Sequence, residues 1–301
     1  MTTEQTEFGR IGLWTSSLDS VSSAEAQEFA GEIEALGYGA IWLPEVAGRD
    51  VMVHLALLLS ATRTLTGATG IANIWARDAV AMSAAAHSLA EAFPRRILVG
   101  LGVSSAAMVT KVRGHSSYSR PYSRMADYLD TLEKAPFTAV AAEYPPEFVL
   151  GALGPRMLRL AAARTRGAHT YFCTPENTAW ARETLGPDAL LCVEQAVVLD
   201  GDTERARAAA RTHAKPYLRV PAYRDLLGRA GLSEADFADG GSVRLLDRVV
   251  AWGDEEAIVA RVRDHLDAGA DHVCIQPLPR SRGEVPADQW RLLAPAVTTL
   301  R

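Results

Sequence analysis

Cysteine is scarce: Cys173, Cys192 and Cys274 are the only three in 301 residues. An odd count in a long chain argues against a disulfide framework, and no two of the three share metal-ligand spacing. Each lies in its own apolar, strand-like run, so they read as reduced core thiols of a cytoplasmic protein. Long apolar runs are also missing. The longest, 51–61, is interrupted by His54 and is far too short to span a bilayer. Met1–Arg10 is polar and acidic and lacks the apolar segment of a secretory signal. There is no His-x-x-x-His pair, no Gly-x-Ser-x-Gly elbow and no phosphate-binding Gly-rich Lys-Ser/Thr loop. These absences argue against a zinc hydrolase, a serine hydrolase and a P-loop nucleotidase. A net charge of -5 and a pI near 5.8 leave little to attract nucleic acid or an anionic membrane.

What the chain does have is alternation. Strand-like runs at 11–15, 40–43, 64–74, 97–103, 148–153, 169–173, 190–199 and 272–277 are separated by helical patterns. Helices are expected at 22–36, 51–61, 79–92, 121–134, 155–165, 175–185, 255–268 and 287–300, with 203–252 mostly helical and broken at 239–241. Ser22 or Ser23, and Asp78, suit helix N-caps. The strands are apolar almost throughout, as strands buried on both faces are. Eight of them interleaved with helices suggest a parallel sheet, closed most simply as a (β/α)8 TIM barrel within one domain spanning 1–301. A doubly wound open sheet is the alternative.

Barrel enzymes carry their chemistry at the C-terminal ends of strands. The run from Thr64 to Arg77 holds Gly67 and Gly70 and ends in Asn73, Trp75 and Arg77. Glycine inside a strand marks a bulge or a close approach, so the segment offers a flat ligand bare backbone. The fourth strand ends Gly100-Leu101-Gly102-Val103-Ser104. Its glycines serve either tight packing or clearance for a ring system, with Ser104 as a hydrogen-bond donor. Gly154-Pro155-Arg156 opens a helix and exposes backbone N–H groups suited to a phosphate. Thr174-Pro175 opens the next helix, either as a plain cap or as a second contribution to the same anion site. Glu45 follows the second strand, where a desolvated carboxylate can act as acid or base. His115, on the long polar excursion 104–122, can protonate a substrate or sit as a surface residue. That loop is of lid length.

Three segments together resemble the bacterial luciferase-like superfamily: Gly70-Ile71-Ala72-Asn73 with Arg77, Leu101-Gly102-Val103-Ser104, and Gly151 through Leu158. Within it they are most similar to the branch that uses coenzyme F420, a deazaflavin. The resemblance runs over residues 9–279. It implies a TIM barrel with the cofactor at the C-terminal mouth. It also implies a cis Gly70–Ile71 peptide bulging against the back of the ring, Asn73 bonding near the ring, and Gly154 and its neighbours holding the phosphate. Arg77 or Arg156 would meet the anionic tail. Two positions depart from the pattern. Val46 stands where relatives often carry a histidine, and Trp14 where they often carry an acid, so Trp14 is expected to wall the pocket. The leading expectation is hydride transfer between F420 and a small organic substrate, with Glu45 or His115 managing the proton. The alternatives are an FMN-dependent monooxygenase and a non-catalytic flavin-binding relative. The resemblance also implies a homodimer formed through helices 51–61 and 79–92.

Overall fold

The computed structural model describes residues 8–300, so most of the Met1–Arg10 stretch lies outside the described residues. In chain order the elements begin β1 (Ile11–Trp14), α1 (Ser23–Ala35), β2 (Ala40–Leu43), α2 (Val51–Ser60), β3 (Thr66–Thr69), β4 (Ala72–Asn73) and α3 (Ala79–Ala92). They continue with β5 (Ile97–Gly102), α4 (Pro121–Glu133), β6 (Glu147–Gly151), α5 (Pro155–Arg164), β7 (Gly167–Thr170), α6 (Pro175–Leu185) and β8 (Leu190–Leu199). The remainder is α7 (Thr203–Tyr217), α8 (Pro221–Arg229), α9 (Glu234–Phe237), α10 (Val243–Val249), β9 (Val250–Gly253), α11 (Glu255–Asp267), β10 (His272–Pro277) and α12 (Ala287–Val297).

All strand pairings are parallel. The order β1-β2-β3-β5-β6-β7-β8-β10 returns to β1, with Ile11 opposite Val273 and His272 opposite Cys192. The sheet is therefore closed, as the TIM-barrel expectation requires, and the open doubly wound sheet is ruled out. Side chains alternate across each strand. One set fills the cylinder: Trp14, Ala40, Trp42, Ala68, Leu98, Val149, Cys192 and Cys274 pack there, with Phe8 among them. The opposite set packs against the helical ring. Ser22 and Asp78 do cap α1 and α3, each accepting a bond from a backbone N–H of the first turn.

Three expectations need correcting. The third strand is not continuous over 64–74: it breaks into β3 and β4 around a cis Gly70–Ile71 peptide. The strand expected at 169–173 lies at Gly167–Thr170, because Phe172 turns away with φ +52°. Finally, the region 203–252 hides a strand. β8 is ten residues long, and β7 pairs only with its first part, Leu190 to Val193. β9 takes over along the upper part, Ala196 to Leu199. Around it α7, α8 and α10 form a second apolar cluster, into which Phe172 and Leu278 are packed. This cluster roofs one side of the barrel's C-terminal end.

Candidate active site

The C-terminal mouth is shaped by what glycine leaves out. The Ile71 side chain lies over Gly102 and Gly151; a Cβ at Gly151 would come within 3.1 Å of Ile71 Cγ2, and one at Gly102 would overlap the Ile71 side chain. At Gly100 a Cβ would run into the Thr69 carbonyl. The Gly-x-Gly of the fourth barrel strand thus packs against the bulge and gives the Ile71 side chain its room. Gly70 and Ile71 themselves are only half-buried. Trp14 Nε1 donates to the Gly70 carbonyl at 3.2 Å, and the Trp14 ring lies 5.2 Å from that of Tyr171. Trp14 therefore stands as a wall beside the bulge.

On the outer side of the bulge the chain is pinned by charge. Glu45 accepts from the Asn73 backbone N–H at 2.7 Å and from Arg77 Nη1 at 3.0 Å, and Arg77 Nη2 also engages its second oxygen. Arg77 reaches Asp50 at 2.6 Å. Both Glu45 oxygens are thus engaged, and the Arg77 guanidinium spans two carboxylates. A forked pair of this kind fixes geometry as well as charge. Asn73 is fully buried; its Oδ1 accepts from the Trp75 N–H at 3.0 Å, while its Nδ2 has no partner. A buried amide group without a partner is costly to leave unfilled.

The excursion 104–122 is tied down across the mouth. His115 Nε2 donates to the Trp75 carbonyl at 2.9 Å, and Tyr118 donates to the Ser104 carbonyl at 3.1 Å. Arg113 Nη2 donates to the carbonyl of Val46, the position that carries no histidine here. Ser104 has φ +58°, a conformation few non-glycine residues adopt, so its carbonyl is turned toward Tyr118.

The two helix starts differ. α5 opens at Gly154, which supplies no side-chain cap, and Pro155 at N1 has no N–H to offer. A Cβ at Gly154 would meet nothing within 4 Å, and the Met157 and Leu158 N–H groups donate to the Gly154 carbonyl, which leaves the Arg156 N–H as the first-turn donor. Arg156 is exposed and lies 4.2 Å over the Tyr122 ring. α6 is instead closed by its own capping box: Asn177 Oδ1 accepts from the Thr174 N–H, and Thr174 Oγ1 from the Asn177 N–H. Thr174 is buried, and Glu176 places a negative charge in the same turn. Of the two helix starts, α5 is the one without a side-chain cap.

Inside the cylinder sits a polar layer that strand-end reasoning overlooked. Trp42 stacks on His169 at 4.5 Å and donates to His272 Nε2 at 3.0 Å, while His272 Nδ1 donates to the Gly9 carbonyl. Burial pushes both imidazoles down, His169 to about 3 and His272 to about 4, so both are neutral. Nearer the mouth, Tyr171 OH bonds Tyr217 OH and Gln276 Oε1, each at 2.9 Å. Glu194 is buried, and desolvation pushes its carboxyl up to about 8. The available signal was a lone carboxylate two residues from inward-facing Cys192, in a strand apolar but for it and Gln195. Cys173, Cys192 and Cys274 are buried free thiols, raised by the same desolvation. Two shallow clefts, about 500 and 540 Å³, lie among α7, α8 and α9; neither includes a barrel strand end.

The half-buried bulge and the uncapped start of α5 both follow C-terminal ends of barrel strands. Among the described residues no helix is long and apolar enough to cross a membrane. Solved structures share the architecture. One is an F420-dependent secondary alcohol dehydrogenase in complex with an F420-acetone adduct, with TM-score 0.75, 15% identity, and coverage of 98% of this chain and 100% of that one. Another is a coenzyme F420-dependent tetrahydromethanopterin reductase from Methanopyrus kandleri, with TM-score 0.76, 15% identity, and coverage of 97% and 99%. A third is the oxygenating constituent of 3,6-diketocamphane monooxygenase from Pseudomonas putida, in complex with FMN, with TM-score 0.71, 13% identity, and coverage of 95% and 96%. At such identities the likeness establishes the fold. No curated protein matches the sequence. A family model for luciferase-like monooxygenases matches residues 7–272, and the chain belongs to that family.

Proposed function

We propose that the protein is an oxidoreductase that transfers a hydride between coenzyme F420 and a small organic substrate. The observation that carries this reading is the half-buried Gly70–Ile71 bulge, seated on Gly102 and Gly151 next to the uncapped start of α5. When bound, the deazaflavin supplies two-electron hydride chemistry; the protein supplies binding, orientation and electrostatics. Ile71 and Gly70 form the surface against which a planar ring rests. Asn73 is fully buried and holds the chain beside the bulge, its backbone N–H on Glu45 and its Oδ1 accepting from the Trp75 N–H. The Arg156 backbone N–H in the first turn of α5, with the helix dipole and the Arg156 side chain, holds the anionic group. Trp14 and Tyr171 wall the opposite side, and the loop pinned by His115 and Tyr118 keeps water out. Glu45 and Arg77 hold each other, which makes them supports for the bulge. Of the two rim groups considered for proton handling, His115 is the one outside that ion pair.

The test is to titrate the purified protein with F420 and, separately, with FMN, following fluorescence quenching. Saturable binding of F420 with weak or no binding of FMN is the expected result. Tight FMN binding without F420 binding would move the assignment to an FMN-dependent monooxygenase, a reading that the family and the FMN-bound neighbour favour. A homodimer through α2 and α3 is part of the proposal: Val53 and Val80 are 59% and 42% exposed on those helices. Light scattering that shows only monomer at micromolar concentration would remove it.

A further inference from the structure

The structure describes four of the chain's five glutamines, and three of them use their amide NH2 inside the protein. Gln27 Nε2 donates to the Leu57 carbonyl, Gln195 Nε2 to those of Ala196 and Val249, and Gln289 Nε2 to that of Leu278. Gln276 is the exception. It lies at the C-terminal end of β10, two residues after inward-facing Cys274, so its side chain faces the cylinder at the mouth. It is 9% exposed. Its Oε1 accepts from Tyr171 OH at 2.9 Å, whereas its Nε2 has no partner among the described residues and keeps accessible surface.

Counting protons gives the hydrogen bonds a direction. The one hydroxyl proton of Tyr171 goes to Gln276 Oε1, so in the 2.9 Å contact between the two phenols Tyr217 is the donor. Both phenolic protons are then used, and the amide is held with its NH2 turned away from Tyr171. In this trio the amide protons are the donors left over. Trp14 touches both the Gly70 carbonyl and the Tyr171 ring, so a continuous line of contacts runs from the bulge to Gln276. No lysine or arginine bonds to Tyr171, Tyr217 or Gln276 among the described residues.

We propose that Gln276 is the residue that holds the substrate, its Nε2 donating to an uncharged acceptor, a carbonyl oxygen or an imine nitrogen, on a body apolar enough to lie against Trp14 and Tyr171. The inference rests on the hydride-transfer reading above and deepens it by naming the substrate class. A carboxylate or phosphate would have to shed water for a neutral amide bond with no cation beside it, which disfavours an anionic acceptor. The acceptor atom gains negative charge as a hydride reaches the carbon next to it, so the same bond strengthens along the reaction. Tyr171 and Tyr217 are positioning residues, because they fix which end of the amide faces the substrate.

The test is nitrogen-15 NMR of the side-chain amides in full-length protein labelled on glutamine, with and without F420. Five glutamines give five NH2 pairs, and the pair missing from Gln276→Glu is that of Gln276. The carboxylate of that variant keeps an oxygen for Tyr171 and offers no donor. Should it not fold, Tyr171→Phe identifies the pair by moving it, and the labelled parent still reports. The probes are cyclohexanone, cyclohexanecarboxylate and cyclohexylammonium, which put a neutral acceptor, an anionic acceptor and donors alone on the same ring. Cyclohexanone should move the Gln276 pair saturably in the millimolar range, as suits a ligand of its size. Cyclohexylammonium should leave the pair in place, and the carboxylate should bind at least tenfold more weakly. Ligand-detected saturation transfer should show at least tenfold weaker cyclohexanone binding to Gln276→Glu. A pair unmoved by cyclohexanone, a pair moved equally by cyclohexylammonium, or tighter binding of the carboxylate overturns the proposal. If F420 quenches and the pair does not move, this inference alone falls. If neither F420 nor FMN quenches while cyclohexanone still moves the pair, the hydride-transfer reading falls and Gln276 keeps its role as the ligand donor.

Discussion

At the residue scale the bulge depends on missing atoms and on one buried ion pair. Gly102→Ala inserts a methyl group where the Ile71 side chain lies. Overpacking of this kind costs ~1–3 kcal/mol, and here it also displaces the surface on which the ring rests. The expected outcome is a lower denaturation midpoint and at least tenfold weaker cofactor binding; unchanged binding would show that Ile71 is not the seat. Arg77→Met leaves Glu45, with a side chain 5% exposed, without its fork. Breaking a buried pair from one side costs ~3–5 kcal/mol, with the lower end expected because Asp50 is exposed and contributes little. Urea denaturation reads this directly, and a loss under 1 kcal/mol would refute the buttressing role. Position 70 was legible in the sequence because glycine in a strand signals close approach. The pairing of Glu45 with Arg77 was not, because residues 32 apart meet only after the strands register. Glu194 stayed hidden for a related reason: its significance lies in full burial with one oxygen unpartnered, and sequence spacing carries no information on that.

At the element scale the helix starts separate capping from ligand binding. Gly154 has extended backbone, φ -125° and ψ 160°, and open space at its Cβ. Gly154→Asp therefore fits without strain and supplies the missing cap, worth a few tenths of a kcal/mol over glycine. The same carboxylate occupies the anion seat. Thermal stability should hold or rise while affinity for the phosphate-bearing cofactor falls at least tenfold; binding that survives the substitution would place the anion elsewhere. The opposite signs distinguish a ligand site from a structural one. Most elements were legible because apolar runs of strand length alternate with capped helical patterns. β7 was misplaced since Tyr171-Phe172-Cys173 continues the apolar run, although Phe172 leaves the strand conformation. β9 was missed because Val249 to Trp252 continues the apolar positions of α10, and only the unpaired upper half of β8 calls for a partner there.

At the scale of the whole molecule, buried titratable groups set how stability follows pH. Glu194 keeps its proton up to about pH 8 when folded, but only to about 4.5 when unfolded. Its folded pKa is raised, so its contribution is complete below 4.5 and is lost as pH rises toward 8. Six histidines act in the opposite sense, His54 and His87 among them, both lowered by burial. His169 and His265 are held near 3, and His213 and His272 near 4, against an unfolded value of 6.5. The folded state binds fewer protons than the unfolded one below 6.5, so they destabilise the fold in acid and cease to matter above that pH. Between 4.5 and 6.5 the two effects oppose each other. From 6.5 to 8 the histidines are silent and Glu194 remains. Each pH unit is worth ~1.4 kcal/mol per proton, so the unloaded protein should lose about 2 kcal/mol across that window. Glu194→Gln has no proton to lose, and its stability should be flat there. Urea denaturation of both proteins at pH 6.5 and pH 8 measures the difference. Equal losses in the two would mean that the carboxyl is ionised in the fold at neutral pH, and burial would then not govern the Glu194 proton.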